Sequence, residues 1–324
     1  MRFYNLVITD PNIAAPANNV IATSTSFVNG SIDLGALDIE FDVPVFFAAA
    51  PVSAAYVKLY GVSIKTVSQA QDFNGKTLTL SAGMSAGLPL AKPLQQGVIL
   101  NGTIQQAFGN WIGTEQYIEF IVVSTGSAFG AKPNYVFHWP KSGLLSDAIR
   151  QTLAQIAPGY NPIFNISPNL VLPAQEDNYC YNITDFAQYI NAISKSILSG
   201  KTNYPGVNIT VTGNKTILVD DASTVTTPKV LEFSDLLGQP VYTSPSSVQV
   251  TTVLRADINP TAYIQLPQNL LVTFSPSNGL VPANKSIFQG NFYVTQVRHV
   301  GHFRSADALG WLTTLDCSPQ ASLV

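Results

Sequence analysis

The sequence carries little charge of either sign. Only 11% of its 324 residues are Asp, Glu, Lys or Arg, against about 25% in an average soluble protein. A surface with so few charges is weakly protected against self-association. The composition therefore indicates either an extracellular domain or, as we favour, a subunit whose surface is largely covered by partners.

Basic runs are absent as well, and the formal net charge is −3. Proteins that grip nucleic acid present clustered Lys and Arg side chains to the phosphates, so we do not expect a nucleic-acid-binding surface. A conduit that lets DNA slide past would avoid basic walls for the same reason, because phosphate contacts supply non-specific affinity.

Cysteines and long apolar runs are scarce. Cys180 and Cys317 are the only cysteines, too few for a disulfide framework or a zinc cluster, and we predict two buried free thiols. The most apolar run, Val43 to Val57, is too short to cross a bilayer and contains two prolines. No signal-peptide pattern opens the chain, so we expect a soluble protein made in a cytoplasm.

Strand patterns dominate both ends of the chain. LDIEFDV (37–43) alternates apolar and acidic residues, which predicts a half-buried strand. Further β-rich runs before residue 125 lie at 56–64, 76–82 and 117–123. From about residue 222 the β pattern returns, with prolines between the runs, and it predicts strands at 248–254, 262–266, 270–274, 291–300 and 311–315.

The middle of the chain has helical spacing instead. Apolar residues form one stripe over 144–156, before Pro158 and Gly159. A second helix is predicted in ITDFAQYINAISKSILSG (183–200), with Thr184 as N-cap and Gly200 as C-cap. A hairpin turning at Gly213-Asn214 follows. We therefore predict a mainly β fold with a small α+β insert, divided into residues 1–125, 126–221 and 222–324.

Two segments of the chain share a plan. The segments at 95–123 and 287–317 each contain a strand with glutamine, a glycine near its end (Gly109 or Gly301), a polar loop and a closing strand. Residue identity is slight, but two β regions that end alike indicate a duplicated domain.

No group of residues stands out as catalytic. GMSAG (83–87) matches the G-x-S-x-G pattern, in which the serine lies between a strand and a helix. Pro89 and Pro93 follow where that helix is needed, so we interpret Ser85 as part of a turn of small residues. Carboxylate pairs such as Glu115 with Glu119 are expected by chance. We predict no enzyme activity, no catalytic residue and no cofactor.

His299 and His302 raise the question of a metal site. Residues three apart on a strand point to opposite faces, whereas zinc needs three or four converging ligands. Only Asp307, Cys317 or distant residues could complete the set. We predict no metal here and expect contacts within the hairpin or between subunits.

The most distinctive stretch is LSAGMSAGLPLAKPLQQGVILNGTIQQAFGNWIG (80–113). Together with DFNGK (72–76), ISPNLVLP (166–173) and GNFYVTQVRHVGHFRSADALGWLTTLDC (290–317), it resembles baseplate hub proteins of bacteriophages with contractile tails. The N-terminal part of type VI secretion spike proteins is similar. The resemblance covers most of the chain in the same order, and it lies in glycines, prolines and strands.

The resemblance implies two tube-type β-barrel or sandwich domains in one chain. It implies a homotrimer, a ring with pseudo-sixfold symmetry that joins the tail tube or a tube-initiator protein to the central spike protein. It also admits contacts with the tape-measure protein and a baseplate wedge. DNA would pass through the lumen without specific binding, and no membrane is involved. The subunit would belong to the tail baseplate of the virion and be assembled in the host bacterial cytoplasm.

The same resemblance gives the two similar hairpins a role in tube-forming or inter-subunit contacts. Because the chain ends soon after the last predicted strand, we expect no fused hydrolase domain. The candidate interface residues are Gln105, Gln106, Phe108, Trp111, Arg298, His299 and His302.

Two other functions stay open from the sequence. One is a tail-associated peptidoglycan hydrolase. The other is a carbohydrate-binding adhesin, which would present an exposed aromatic platform around Trp111, Trp139 or Trp311.

Overall fold

The computed structural model describes eleven parts of the chain. They are residues 1–13, 19–46, 54–85, 95–123, 134–198, 204–212, 215–222, 227–244, 247–267, 288 and 290–319. Strands dominate these residues, which confirms the prediction of a mainly β protein with a small α+β insert. No helix among them is long and apolar enough to cross a membrane.

Among the described residues, the first β segment contains nine strands and one short α-helix. Alternation works as predicted in its fifth strand, where Ile39, Phe41 and Val43 are buried. The elements are β1 (Arg2–Thr9), β2 (Val20–Thr25), β3 (Phe27–Val28), β4 (Ser31–Ile32), β5 (Asp38–Phe46), β6 (Ala54–Tyr60), α1 (Ile64–Ser68), β7 (Thr77–Met84), β8 (Gly97–Ile112) and β9 (Glu115–Val123).

The insert contains the two predicted helices and small sheets beside them. Its elements are β10 (Tyr135–Trp139), α2 (Leu145–Ile156), β11 (Asn161–Asn165), β12 (Glu176–Cys180), α3 (Ile183–Ile197), β13 (Asn208–Val211) and β14 (Thr216–Asp220). The predicted N-cap Thr184 is wrong. Asn182 caps α3, because its side chain accepts a hydrogen bond from the backbone N–H of Asp185 at 2.9 Å. Gly200, Gly213 and Asn214 lie outside the described residues.

The second β segment completes the fold. It contains β15 (Lys229–Val230), β16 (Val241–Ser244), β17 (Ser247–Val253), β18 (Tyr263–Gln265), β19 (Asn291–His302) and β20 (Trp311–Pro319). The strand predicted at 270–274 lies outside the described residues.

One sheet runs through both β segments. It has 13 strands, and its main path is β16-β17-β20-β19-β5-β6-β9-β8-β7-β1-β2. The two segments meet where β5 pairs antiparallel with β19, so that Phe41 lies opposite Gly301. The sequence predicts two β units, and the structure adds that a backbone ladder makes them continuous within one chain.

The hydrophobic core consists of three clusters. One lies in the first β segment, one in the insert and one in the second β segment. Leu254 and Trp311, from the second segment, pack in the first cluster. The division at residues 125 and 221 stays a prediction, since these contacts cross from one β segment to the other.

A glycine at the junction of the two segments has no room for a side chain. A Cβ added to Gly301 would overlap the ring of Phe41, which also packs edge-to-face against Trp311 at 5.2 Å between centroids. Gly109, in the first of the similar hairpins, is equally tight, because its Cβ would overlap the carbonyl oxygen of Val67. The two glycines of the repeat therefore both mark close approach of a neighbour.

We expect Gly301→Ala to lower the free energy of unfolding by about 1–3 kcal/mol, the usual cost of overpacking a core. Chemical denaturation measures it. Gly159→Ala is the matched control, since an added Cβ there meets nothing within 4 Å. The double variant Gly301→Ala, Phe41→Leu should recover part of the lost stability, because the Phe41 ring is what the added Cβ would overlap. Equal losses at Gly301 and Gly159 would contradict the steric explanation.

Candidate assembly interface

The first candidate hairpin, β8–β9, projects an apolar tip. Its strands pair out to Ile112 opposite Glu115, which leaves a two-residue turn. Gly113 opens that turn with φ +62°, a conformation that glycine adopts readily. Trp111 is 63% exposed and Ile112 is 66% exposed. Sequence reasoning missed Ile112, although its place beside the turn would have identified it.

A one-residue bulge in β8 decides which residues face outward. Ile104 pairs with Val122 and Gln106 pairs with Ile121, so Gln105 is the extra residue. Without a bulge, strict alternation from buried Ile104 would turn Phe108 inward. With it, Ala107 is buried and Phe108 is 45% exposed. Gln105 and Gln106 are exposed beside it.

The second candidate hairpin, β19–β20, also contains a one-residue bulge in its first strand. Val294 pairs with Cys317 and Gln296 pairs with Asp316, so Thr295 is the extra residue. Arg298 follows this bulge by three positions, as Phe108 follows the bulge at Gln105. The two hairpins thus share a long first strand, one bulge and a tightly packed glycine. This similarity of structure supports the duplication indicated by the sequence.

Arg298 lies on the surface and ties the two β segments together. Its guanidinium donates to Asp42 through Nε to Oδ1 at 2.8 Å and through Nη2 to Oδ2 at 2.5 Å. The hydrogen bonds to this carboxylate raise the pKa of Arg298, so its guanidinium stays charged. A bidentate pair fixes geometry better than a single contact, although both side chains remain partly in water.

His299 and His302 point to opposite sides of β19. His302 is partly exposed, and its Nε2 lies 3.3 Å from Asp38 Oδ2. His299 is only 4% exposed, and its Nδ1 lies 2.9 Å from Thr313 Oγ1. Burial lowers the pKa of His299 to about 4. The His299 side chain therefore packs in the protein interior. Of the three predicted interface residues on β19, Arg298 and His302 are the ones at the surface.

The described residues contain no group of three or more His, Cys, Asp or Glu side chains that could hold a metal ion. His138 bonds Asp177 on the insert, with Nδ1 2.5 Å from Oδ1. All three histidines thus have partners other than Ser85, whose Oγ donates to the carbonyl of Met1 at 3.2 Å. The last two residues of GMSAG lie outside the described part of the chain.

Cys180 and Cys317 are free and buried, which confirms the prediction. Burial raises the pKa of Cys180 to about 11 and also raises the pKa of Cys317, so both remain thiols at neutral pH. Among the tryptophans, Trp139 and Trp311 are buried core residues. They cannot contribute to the aromatic platform that an adhesin would need, and Trp111 is the exposed one.

Comparison with known proteins rests on structure, because no family model and no curated protein matches the sequence. The fold matches the tail protein from Neisseria meningitidis with a TM-score of 0.53 and 9% identity, over 97% of this chain and 96% of that one. It matches the E. coli c3393 protein, a component of the type VI secretion system similar to the T4 bacteriophage tail proteins gp27 and gp5, with a TM-score of 0.54 and 10% identity, over 88% and 74%.

A chain of the Francisella PdpA–VgrG complex matches with a TM-score of 0.55 and 9% identity. The match covers the whole of this chain and 59% of that one. At these identities the likeness concerns the fold. The chain therefore has the fold of this tail protein and of these type VI secretion and VgrG-complex chains.

Proposed function

We propose that the chain is a structural subunit of a phage tail baseplate hub. Three copies form a ring with pseudo-sixfold symmetry that joins the tail tube to the central spike. The observation that carries this proposal is the pair of bulged hairpins in one continuous sheet. A chain with two similar β segments contributes six similar units to a trimer. The trimer can therefore contact a sixfold-symmetric tube on one side and a threefold-symmetric spike on the other.

The joints between copies are backbone ladders at the ends of the sheet. Its main path over the described residues ends at β2 and β16. Free edges are usually protected by charged residues or proline, but neither strand contains any. Val20 and Val241 are half exposed there. Pairing of β2 in one copy with β16 in the next is a head-to-tail contact, and such contacts form a ring when the rotation between copies closes after three steps.

The tip of the β8–β9 hairpin supplies the contact with a tube or spike protein. Tryptophan and other large side chains dominate the energetics of protein interfaces, and Phe108, Trp111 and Ile112 are all exposed at this tip. On this proposal the subunit is not an enzyme and needs no cofactor. DNA passes through the ring without specific contacts, as the scarcity of basic residues favours.

The proposal is tested by mass photometry and cryo-electron microscopy of the purified chain, alone and mixed with the tube and spike proteins of the same phage. A ring of three copies that binds both partners is the expected result. A monomer that binds neither would overturn the hub assignment.

Trp111→Ser is expected to weaken binding of the tube or spike partner by roughly 30-fold, because truncating a central anchor costs about 2 kcal/mol. The thermal midpoint of the isolated chain should stay nearly unchanged, since the side chain is mostly in water and bonds only within its own turn, Nε1 to the carbonyl of Gly113 at 2.9 Å. Biolayer interferometry measures the affinity.

Tyr179→Ser is the control for that experiment. Tyr179 is 76% exposed on β12 of the insert, so it matches Trp111 in aromatic exposure but not in position. If both variants bind the partner as tightly as the native chain, the hairpin tip is not the contact.

A further inference from the structure

The first β segment contains an apolar cavity with a volume of about 290 Å³. β1, β6 and β9 contribute to its walls. Four buried side chains on these strands line it, Leu6, Leu59, Ile118 and Phe120. An apolar cavity of about 150 Å³ is enough to hold benzene or xenon. This cavity is roughly twice that size, and it lies at the lower end of the range for ligand pockets.

None of the residues that line the cavity is charged. Burying an isolated carboxylate or ammonium without a partner costs far more than an apolar contact returns. The lining therefore offers no countercharge to an ion that enters it and favours an uncharged molecule. The apolar wall supplies the affinity by removing the ligand's hydrocarbon surface from water.

Hydroxyl groups are part of the lining. Ser63 and Thr66 line the cavity at the start of α1, with their hydroxyl oxygens 2.8 Å apart. In such a pair one O–H donates to the other, so the two hydroxyls have one O–H donor that their mutual bond does not use. Ser24 also lines the cavity, and its hydroxyl bonds the hydroxyl of Tyr4 at 3.0 Å. These hydroxyls suit a ligand that carries a small uncharged polar group.

From these features we infer that the cavity is a binding site for a small uncharged amphiphile, an aliphatic chain ending in a hydroxyl or a similar neutral group. The site is independent of the candidate interface, since neither Trp111 nor Arg298 lines it. It adds to the proposed hub function a binding activity that does not depend on ring formation.

The test uses 1-octanol as the probe and octanoate as its charged counterpart, with the full chain. Octanol at concentrations well above its dissociation constant should raise the thermal midpoint by about 2–4 °C, and octanoate should not. In methyl-detected NMR spectra, octanol should shift the signals of Leu59 and Ile118 and leave that of Ile217 in the insert unchanged.

Two variants that fill the cavity keep the test decisive. Ala22→Leu and Val62→Phe each add hydrocarbon at a lining position, so either of them, once folded, should lose the response to octanol. An equal response in a folded variant would overturn the proposal, as would equal effects of octanol and octanoate. No response in the native chain would show that the cavity is only a packing gap and would overturn it too. None of these outcomes depends on the oligomeric state, so failure here is distinguishable from failure of the hub assignment.

Discussion

Arg255→Met is expected to lower the free energy of unfolding by about 3–5 kcal/mol, the cost of breaking a buried ion pair by removing one partner. The Arg255 side chain is only 6% exposed. It donates to Asp257 through Nε to Oδ1 at 2.7 Å and Nη2 to Oδ2 at 2.8 Å. Its Nη1 lies 3.3 Å from Oδ2 of Asp235, which is 2% exposed. Without the guanidinium, a buried carboxylate loses its countercharge.

The Arg255 cluster also joins the two β segments, which adds to the expected effect. Gln95, just before β8, donates from Nε2 to Asp235 Oδ1 at 3.1 Å, and its carbonyl accepts from the backbone N–H of Ala256 at 2.8 Å. Leu254, the residue before the arginine, packs in the core of the first segment. Loss of the cluster therefore weakens the contact between the two β segments and also removes the buried ion pair.

Arg150→Met is the matched control for Arg255→Met. Arg150 pairs with Asp147 three residues away on α2, at 2.9 Å, but both side chains are more than half exposed. Surface pairs of this kind contribute about 0–1 kcal/mol. Urea denaturation followed by circular dichroism should separate the two variants clearly. Equal losses would show that burial does not set the importance of the Arg255 pair. Adding Asp235→Asn to Arg255→Met should recover part of the stability, because the amide removes the charge at Asp235 and keeps an oxygen that can accept from Gln95.

Local patterns in the sequence predicted the helices and strands of the fold. They could not predict which strands pair when the partners are far apart in the chain. Alternation at 37–43 gives β5, and the apolar stripe at 144–156 gives α2. Neither pattern says that β5 pairs with β19 more than 250 positions further on. Any strand edge offers the same backbone groups, so the choice of partner depends on the whole fold.

The candidate interface was predicted in part for a related reason. A bulge of one residue reverses the faces of every later position in its strand. The bulge at Thr295 turns His299 inward and Arg298 outward, and the sequence carries no direct mark of it. Phe108 and Trp111 were predicted as surface contacts and are exposed. Whether they meet another protein stays a prediction that the binding experiment on Trp111 addresses.

Lowering the pH should destabilise the protein through His299. Burial holds its pKa at about 4, against 6.5 for the exposed side chain. Above pH 6.5 neither the folded nor the unfolded state binds a proton there, so this contribution to stability is complete. As the pH falls from 6.5 to 4, the unfolded chain binds the proton and the folded chain does not. The free energy of unfolding then falls by about 3 kcal/mol at pH 4, since one pKa unit corresponds to about 1.4 kcal/mol.

His299→Gln isolates this contribution, because glutamine keeps polar atoms in the site but does not titrate. Urea denaturation at several pH values between 4 and 7 should give a flatter dependence for His299→Gln than for the native chain. His302→Gln, at the partly exposed histidine of the same strand, is the control for replacing a histidine of β19 by glutamine. Identical curves for the native chain and His299→Gln would place the acid sensitivity elsewhere.

Burial explains why the folded state resists the proton, and the hydrogen bond of His299 indicates which ring nitrogen would receive it. Thr313 Oγ1 donates to the carbonyl of Arg255 at 3.3 Å and accepts from the backbone N–H of the same residue at 3.0 Å. Because a hydroxyl has only one proton to donate, the bond between Thr313 Oγ1 and His299 Nδ1 needs the proton on Nδ1. Protonation would then add a charge at Nε2 inside a core that offers it no solvent. Because Thr313 bonds both His299 and the backbone of Arg255, the two sites share a partner. The change in the free energy of unfolding for the double variant His299→Gln, Arg255→Met should therefore differ from the sum of the two single changes.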